Sequence, residues 1–423
     1  MKISIVASGT RGDVQPYVAI GEGLKKAGYD VRVLTSDDFE SLVTGAGLEF
    51  RSSGTSVESM LQSEEWRKTV EGGNFLAILA RMTNEMKSRA HELALNVPAL
   101  FEGSDLIVAG MSGMGGAFSI AEKLGVPVIQ AYVVPITPTR AFSGPLTPAL
   151  PLGGLLNPLS FHVMRQMIWQ SVRVADATTR RELGMPPASF WGPFRSLKQK
   201  QIPALYGYSQ HVLPRPNDWD ALNHVTGYWF LDTPSDWVAP SNLVDFLGAG
   251  AAPVYIGFGS MGSRNPEEAT DLALKALTLS RQRGVLASGW GGLSQSDLPE
   301  TVYMMPSVPH SWLFPQMAAV VHHGGVGTTA AGLRAGVPSI IVPFFGDQPF
   351  WGRRAAALGV GPNPVPRRRL TATRLAEMIQ QTVSDSAMRQ RAADLGEKIR
   401  AEDGVGKAVN LIQSVSERAL PLV

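Results

Sequence analysis

From one end of the chain to the other, short Val/Ile-rich runs alternate with stretches whose apolar residues recur at helical spacing. The first half reads as strand at KISIVAS (2–8), DVRVLTS (30–36), LEFRSS (48–53), DLIVAG (105–110) and VPVIQAYV (126–133). A helix is expected over VQPYVAIGEGLKKAG (14–28), closed by Gly28. After a proline-studded stretch the pattern restarts with PVYIGFGS (253–260), GVLASGW (284–290), TVYMMPS (301–307), AAVVHH (318–323) and VPSIIVPFF (337–345). Strands alternating with helices mark βαβ units and a parallel sheet, and the restart predicts two of them. The expected division is 1–213, a linker over 214–252, a second domain over 253–400 and a terminal helix over 401–423 that packs back on the first domain. AEKLGVPVIQA (121–131) and GLRAGVPSIIV (332–342) share a helix end, a Gly-Val-Pro stop and a buried strand. This is duplication of a fold type or common βαβ grammar.

Residues 141–164 contain no Asp, Glu, Lys or Arg. Their length would cross a bilayer, but Pro145, Pro148, Pro151 and Pro158 would leave backbone groups unpaired in hydrocarbon, so the segment is read as a loop. It covers a core, closes over an apolar acceptor or touches a membrane surface.

Composition narrows the class. With 423 residues, 44% of them hydrophobic and 17% charged, the chain is a globular protein of more than one core. A net charge of +2 without a concentrated basic face argues against nucleic acid, and Arg367 to Arg369 read as a solvated loop. The absence of cysteine excludes thiolate chemistry. The sequence opens directly on a strand pattern, so a cytoplasmic location is expected, peripheral to a membrane if the apolar segment touches one.

Three loops suit phosphate. Ser8, Gly9, Thr10, Arg11 and Gly12 lie on the turn from the first strand into a helix, where free N–H groups and the helix dipole favour an anion. Asp13 caps that helix or acts in catalysis. A helix N-terminus and the neighbouring Arg11 should both lower its pKa. Gly257 to Gly262 match a dinucleotide fingerprint, yet Ser288, Gly289 and Trp290 stand where the ribose-binding acid belongs, so nicotinamide is disfavoured. Gly259 and Ser260 still suit a phosphate. In VVHHGGVGTTAAG (320–332) two histidines end a strand and glycines lead into a helix, a cradle for a diphosphate. Adjacent histidines on a strand end point opposite ways, which disfavours a metal. Asp347 and Gln348 follow the next strand and suit sugar hydroxyls, or form a turn and a helix cap. Asp218 and Asp220 repeat the Asp-x-Asp spacing of metal-dependent sugar transferases, but prolines around them favour a structural turn.

Together GTRGDVQPYVAIGEGL, GFGS and VPHSWLFPQMAAVVHHGGVGTTAAGLRAGVPSIIVPFFGDQPFWG, in that order, resemble the UDP-glycosyltransferase family. The likeness runs to about Gly361 and is nearest to sterol 3-beta-glucosyltransferases and bacterial antibiotic and glycolipid glycosyltransferases. It implies a GT-B fold, α/β, with two doubly wound Rossmann-like domains facing a cleft. It also implies an inverting, metal-independent transfer, with no cofactor beyond a UDP- or dTDP-hexose donor such as UDP-glucose, to a small hydrophobic acceptor. By that resemblance His323 and the turn Gly324, Gly325, Val326, Gly327 and Thr328 hold the diphosphate, with Ser260 assisting. Val308 contacts the base through its backbone, Trp290 stacks on it, His310 belongs to the same donor site, and Asp347 and Gln348 grip the hexose. Asp13 takes the base position of the sterol and antibiotic branch. Val326 and Ser288 depart from the residues common there, which bears on donor choice. An epimerase or a non-catalytic nucleotide-sugar or lipid sensor on the same fold is the alternative.

Overall fold

The computed structural model describes the chain except residues 73, 112, 148–152, 235–236, 260–265, 289–297, 306–307 and 420–423. It divides into two compact units, one of residues 1–57, 76–231 and 403–423, the other of 58–75 and 232–402.

The first unit holds β1 (Lys2–Val6), β2 (Asp30–Thr35), β3 (Glu49–Ser52), β4 (Leu106–Ala109), β5 (Val128–Tyr132), β6 (Ala204–Tyr206) and β7 (Asn223–Val225). They form one sheet in the order β3-β2-β1-β4-β5-β6-β7, and every pairing is parallel. β4 and β5 are buried at every position, as a sheet with helices on its faces requires. The second unit holds β8 (Val254–Gly257), β9 (Gly284–Ala287), β10 (Val302–Met305), β11 (Ala319–His322) and β12 (Ser339–Ile341). Their order is β10-β9-β8-β11-β12, again all parallel. The ten strands read from hydrophobic runs are all present. β6 and β7 escaped because neither lies in a longer Val/Ile-rich run, as the equally short β12 does; β7 lies inside the stretch read as a linker.

The paired Gly-Val-Pro segments adopt one design twice. The Met114–Leu124 helix ends at Gly125 (φ 69°), with Val126 N donating to Ala121 O, before β5. The Val326–Ala335 helix ends at Gly336 (φ 74°), with Val337 N donating to Gly332 O, before β12. Left-handed glycine closes each helix and the proline carbonyl bonds the neighbouring strand, Ile107 N to Pro127 O and Val320 N to Pro338 O.

The segment 141–164 is not all loop. A helix spans Gly153–Glu182 with Pro158 inside it. One proline near the helix start removes a single backbone bond. Burial of Phe161 and Met164, with Asn157 Nδ2 donating to Arg140 O and Gly144 N donating to Ser160 Oγ, offsets it. Among the described residues no helix is long and apolar enough to cross a membrane. The Gly404–Ala419 helix lies against the Arg11–Lys26 helix. A Cβ on Gly23 would stand 2.8 Å from Val405 and 2.9 Å from Val409, so glycine sets that close approach.

Candidate functional site

Each unit carries its own set of site residues at the carboxyl ends of its strands, where open α/β sheets present ligand contacts.

In the first unit the chain leaves β1 through Ala7, Ser8 and Gly9, and Thr10 caps the Arg11–Lys26 helix. The helix begins three residues before the position read from the apolar pattern, because Arg11, Gly12 and Asp13 form a polar first turn. Asp13 and Thr10 make a capping box: Thr10 N donates to Asp13 Oδ2 at 2.9 Å and Thr10 Oγ1 donates to the same oxygen at 3.0 Å. Gly9 has φ +130°, and a Cβ there would stand 2.6 Å from Asp13 Oδ2. Only glycine leaves that carboxylate its place. Burial raises the Asp13 pKa, and the two bonds from Thr10 oppose the rise. This reverses the expected lowering. Desolvation outweighs the helix terminus, and Arg11 turns away, its Nε donating to Gln15 Oε1 at 3.0 Å. One turn on, Tyr17 OH donates to Ala131 O at 2.7 Å and fastens the helix to β5. Burial first, and then the Asp13 charge, push its pKa up.

In the second unit β11 ends at His322, paired with Gly257 of β8 and Ile341 of β12. His323 follows, then Gly324 (φ +91°) and the cap Gly325 of the Val326–Ala335 helix. The His323 ring lies between two glycines. A Cβ on Gly259 would stand 3.1 Å from its Cε1, and one on Gly325 would overlap its Nε2. Gly324 abuts the next loop, since a Cβ there would stand 3.2 Å from Gln348 O. The fold therefore gathers Gly259, His323, Gly324, Gly325 and Gln348. Gly327 and Thr328 lie in the first turn of the helix, whose leading N–H groups lack intrahelical acceptors; the Val326 side chain is buried.

His323 is 9% exposed, and burial lowers its pKa to about 4. The ring is neutral at pH 7, with one N–H to donate. Its Nδ1 is buried and finds no hydrogen-bond partner among the described residues. His322 is fully buried, and burial first, then His323 and His310, lower its pKa. Its Nδ1 accepts from Gly324 N at 3.1 Å, so it supports the turn from behind. Of the two histidines read as ending the strand, His322 is thus the packed and hydrogen-bonded one.

Asp347 and Gln348 are held by their own unit. Trp351 Nε1 donates to Asp347 Oδ2 at 2.8 Å, and Phe344 N and Phe345 N donate to Gln348 Oε1 at 2.7 and 3.2 Å. Asp347 is the cap residue of the Gln348–Ala357 helix but makes no side-chain cap bond. His310 stacks on Phe314 at 4.2 Å, and the Val308 side chain joins the core beneath β8 and β9. Ser260 and Trp290 lie outside the described residues.

Asp218 accepts from Thr139 Oγ1 and Arg140 N, and Asp220 from Asn223 Nδ2 and Leu222 N. That pair braces loops. Among the described residues no cluster of three or more His, Cys, Asp or Glu could hold a metal.

Residues 3–143 match the glycosyltransferase family 28 N-terminal domain, and residues 291–410 the erythromycin biosynthesis protein CIII-like C-terminal domain. The chain is 37% identical to the sterol 3-beta-glucosyltransferase UGT80A2 of Arabidopsis thaliana, over 97% of this chain and 64% of that protein. It is 35% identical to UGT80B1 of the same plant, over 100% of this chain and 69% of that protein. Against the sterol 3-beta-glucosyltransferase of Cryptococcus neoformans it is 34% identical over its whole length but spans 28% of that longer protein. Among solved structures, the glycotransferase of kitacinnamycin superposes with TM-score 0.69 at 20% identity, over 99% of both chains. VinC in complex with dTDP does so with TM-score 0.67 at 18% identity, over 99% of this chain and 100% of that one. The fold is GT-B, and the chain belongs to the glycosyltransferase family that includes the sterol 3-beta-glucosyltransferases.

Proposed function

We propose that the protein is an inverting, metal-independent glycosyltransferase that moves a hexose from a nucleotide diphosphate sugar, UDP-glucose foremost, to a hydroxyl of a sterol or similar apolar acceptor. The observation that carries this reading is Asp13, a carboxylate whose pKa is raised by burial and whose position is fixed by Thr10. A base needs both qualities. The names of the plant and fungal relatives speak for glucose and a sterol, and the VinC structure holds dTDP.

In the reaction the acceptor oxygen attacks the anomeric carbon while its proton passes to the Asp13 carboxylate. The bond from that carbon to the diphosphate oxygen breaks, and its electrons leave with the diphosphate. The leading N–H groups of the Val326–Ala335 helix and an imidazole N–H of His323 meet the charge that collects there. A neutral His323 donates one such bond at no cost in protonation. Asp347 and Gln348 hold the hexose hydroxyls. A single displacement inverts the anomeric configuration.

The test is incubation of UDP-glucose and dTDP-rhamnose with sterols, flavonoids and glycolipids, read by mass spectrometry. An acceptor-plus-hexose product of inverted configuration supports the reading. Asp13→Asn should lower turnover by about 10³-fold or more with nucleotide affinity nearly unchanged. Near-normal turnover of that variant, or donor conversion needing no acceptor, would refute it.

A further inference from the structure

The outward face of the Gly153–Glu182 helix carries a continuous apolar stripe. Leu155, Leu159 and Val163 recur every four residues and are 86%, 58% and 48% exposed, with Leu156 beside them at 52%. Single exposed apolar residues are ordinary, but a row on one helical face is not. Further along the same stripe, Gln166 Nε2 and Gln170 Nε2 each donate to Phe190 O at 3.2 Å. They fasten the exposed Phe190–Trp191 corner over the helix, the two rings edge to face at 5.3 Å. From Leu155 to Arg173 the apolar row, the two glutamines and the aromatic corner together extend about 27 Å.

The charges around it are mostly positive. Residues 153–200 contain seven Lys or Arg against two Asp or Glu, while the rest of the chain is net negative. Asp176 and Arg180 are both buried, and Lys198 and Lys200 pair with Asp220 and Glu122, which leaves Arg173 and Arg195 as the cations that bear on the surface. The cations are placed on the aromatic corner itself. The Arg173 guanidinium lies 5.1 Å from the Phe190 ring centre and that of Arg195 4.8 Å from the Trp191 ring centre. Exposed leucines, interfacial aromatic rings and overlying guanidinium groups are what a helix lying in a bilayer interface presents.

We propose that this stripe, with the Phe190–Trp191 corner, docks the protein on the surface of an anionic lipid bilayer. The charge is what selects this occupant. In a symmetric pairing of two copies through the same face, each would set its cations against those of the other. A single small acceptor is held in a concavity, whereas this surface is the convex ridge of a helix. The inference stands apart from sugar transfer, since a catalytically dead protein would still bind.

The experiment is co-sedimentation with phosphatidylcholine vesicles made with and without phosphatidylglycerol, at low and high salt. The wild-type protein should pellet with the phosphatidylglycerol vesicles and be released by salt. Leu155→Ser with Leu159→Ser, and separately Trp191→Ser, should each weaken binding by about tenfold or more. Arg173→Glu with Arg195→Glu should remove the preference for phosphatidylglycerol. All these positions are exposed, so an unchanged circular dichroism melt separates lost docking from lost folding. Failure of the wild type to pellet, or equal pelleting of the variants, overturns the proposal. So does a concentration-dependent dimer in sedimentation equilibrium that the leucine substitutions dissolve. Loss of acceptor affinity with vesicle binding intact would assign the stripe to the acceptor and equally overturn it.

Discussion

Thr10 donates twice to one oxygen of Asp13, through its N–H at 2.9 Å and its hydroxyl at 3.0 Å. One residue thereby sets the direction of the carboxylate and part of its basicity, while burial acts the other way. Thr10→Val keeps the N–H and deletes the hydroxyl. It should raise the Asp13 pKa further and move the acid limb of the kcat/KM profile to higher pH. The lost cap costs about 1 kcal/mol of stability. An unmoved acid limb would show that Asp13 is not the titrating base.

Asp13→Asn should also raise the melting temperature at neutral pH. A carboxyl whose folded pKa lies above its unfolded value contributes stability below the unfolded pKa and loses it as pH rises through the folded pKa. Asparagine still accepts from Thr10 and never ionises. Calorimetry at pH 7 and pH 4 should show the gain at pH 7 alone.

His323 titrates in the opposite sense. Its folded pKa of about 4 lies below the ordinary histidine value, so it contributes stability above about pH 6.5 that disappears as pH falls toward 4. The amount is about 3 kcal/mol at most. His323→Gln should flatten the fall in melting temperature over that window, leaving the part due to His322. An unchanged slope would mean that the ring ionises without cost.

Gly325→Ala should lower nucleotide affinity by about tenfold or more, since the new Cβ overlaps His323 Nε2 and must displace the ring or the turn. The backbone of Gly325 suits alanine, at φ −58°, so the effect isolates the close approach. Gly116→Ala, with nothing within 4 Å of its Cβ, is the matched control. Calorimetric titration with UDP reads both.

Gln348 has a structural task as well as its proposed one. Gln348→Leu leaves Phe344 N and Phe345 N without their acceptor and should cost about 1–3 kcal/mol of stability. Gln348→Glu keeps the acceptor, so it should melt near the wild type while lowering kcat/KM. Equal melting temperatures for the two variants would show those bonds to be dispensable.

Much of the architecture was legible in the chain itself. Ten of the twelve strands among the described residues lie in hydrophobic runs long enough to stand out, and the Gly-Val-Pro stops announce where helices end and parallel strands begin. The glycine spacing around His323 likewise marked a close approach before any geometry was known. β6 and β7 were not legible, because neither lies within a longer Val/Ile-rich run of the kind that marked the equally short β12. The helical start at Gly153 was hidden by Pro158, whose local preference is overruled by burial of Phe161 and Met164.

The sequence by itself determined the two parallel sheets, the phosphate-like turns and the residue types available for chemistry, since these follow from local periodicity and backbone preference. The tertiary structure alone decided that Asp13 is raised and not lowered. Desolvation depends on everything packed around the carboxylate, and Arg11, adjacent in sequence, turns to Gln15 in space. It alone brought Gly259 beside His323 and Gly324 beside Gln348, contacts between segments far apart in the chain. It also fastened Phe190 to Gln166 and Gln170 of the helix that carries the exposed leucines, a surface that helical spacing could not foretell because its two parts come from different elements.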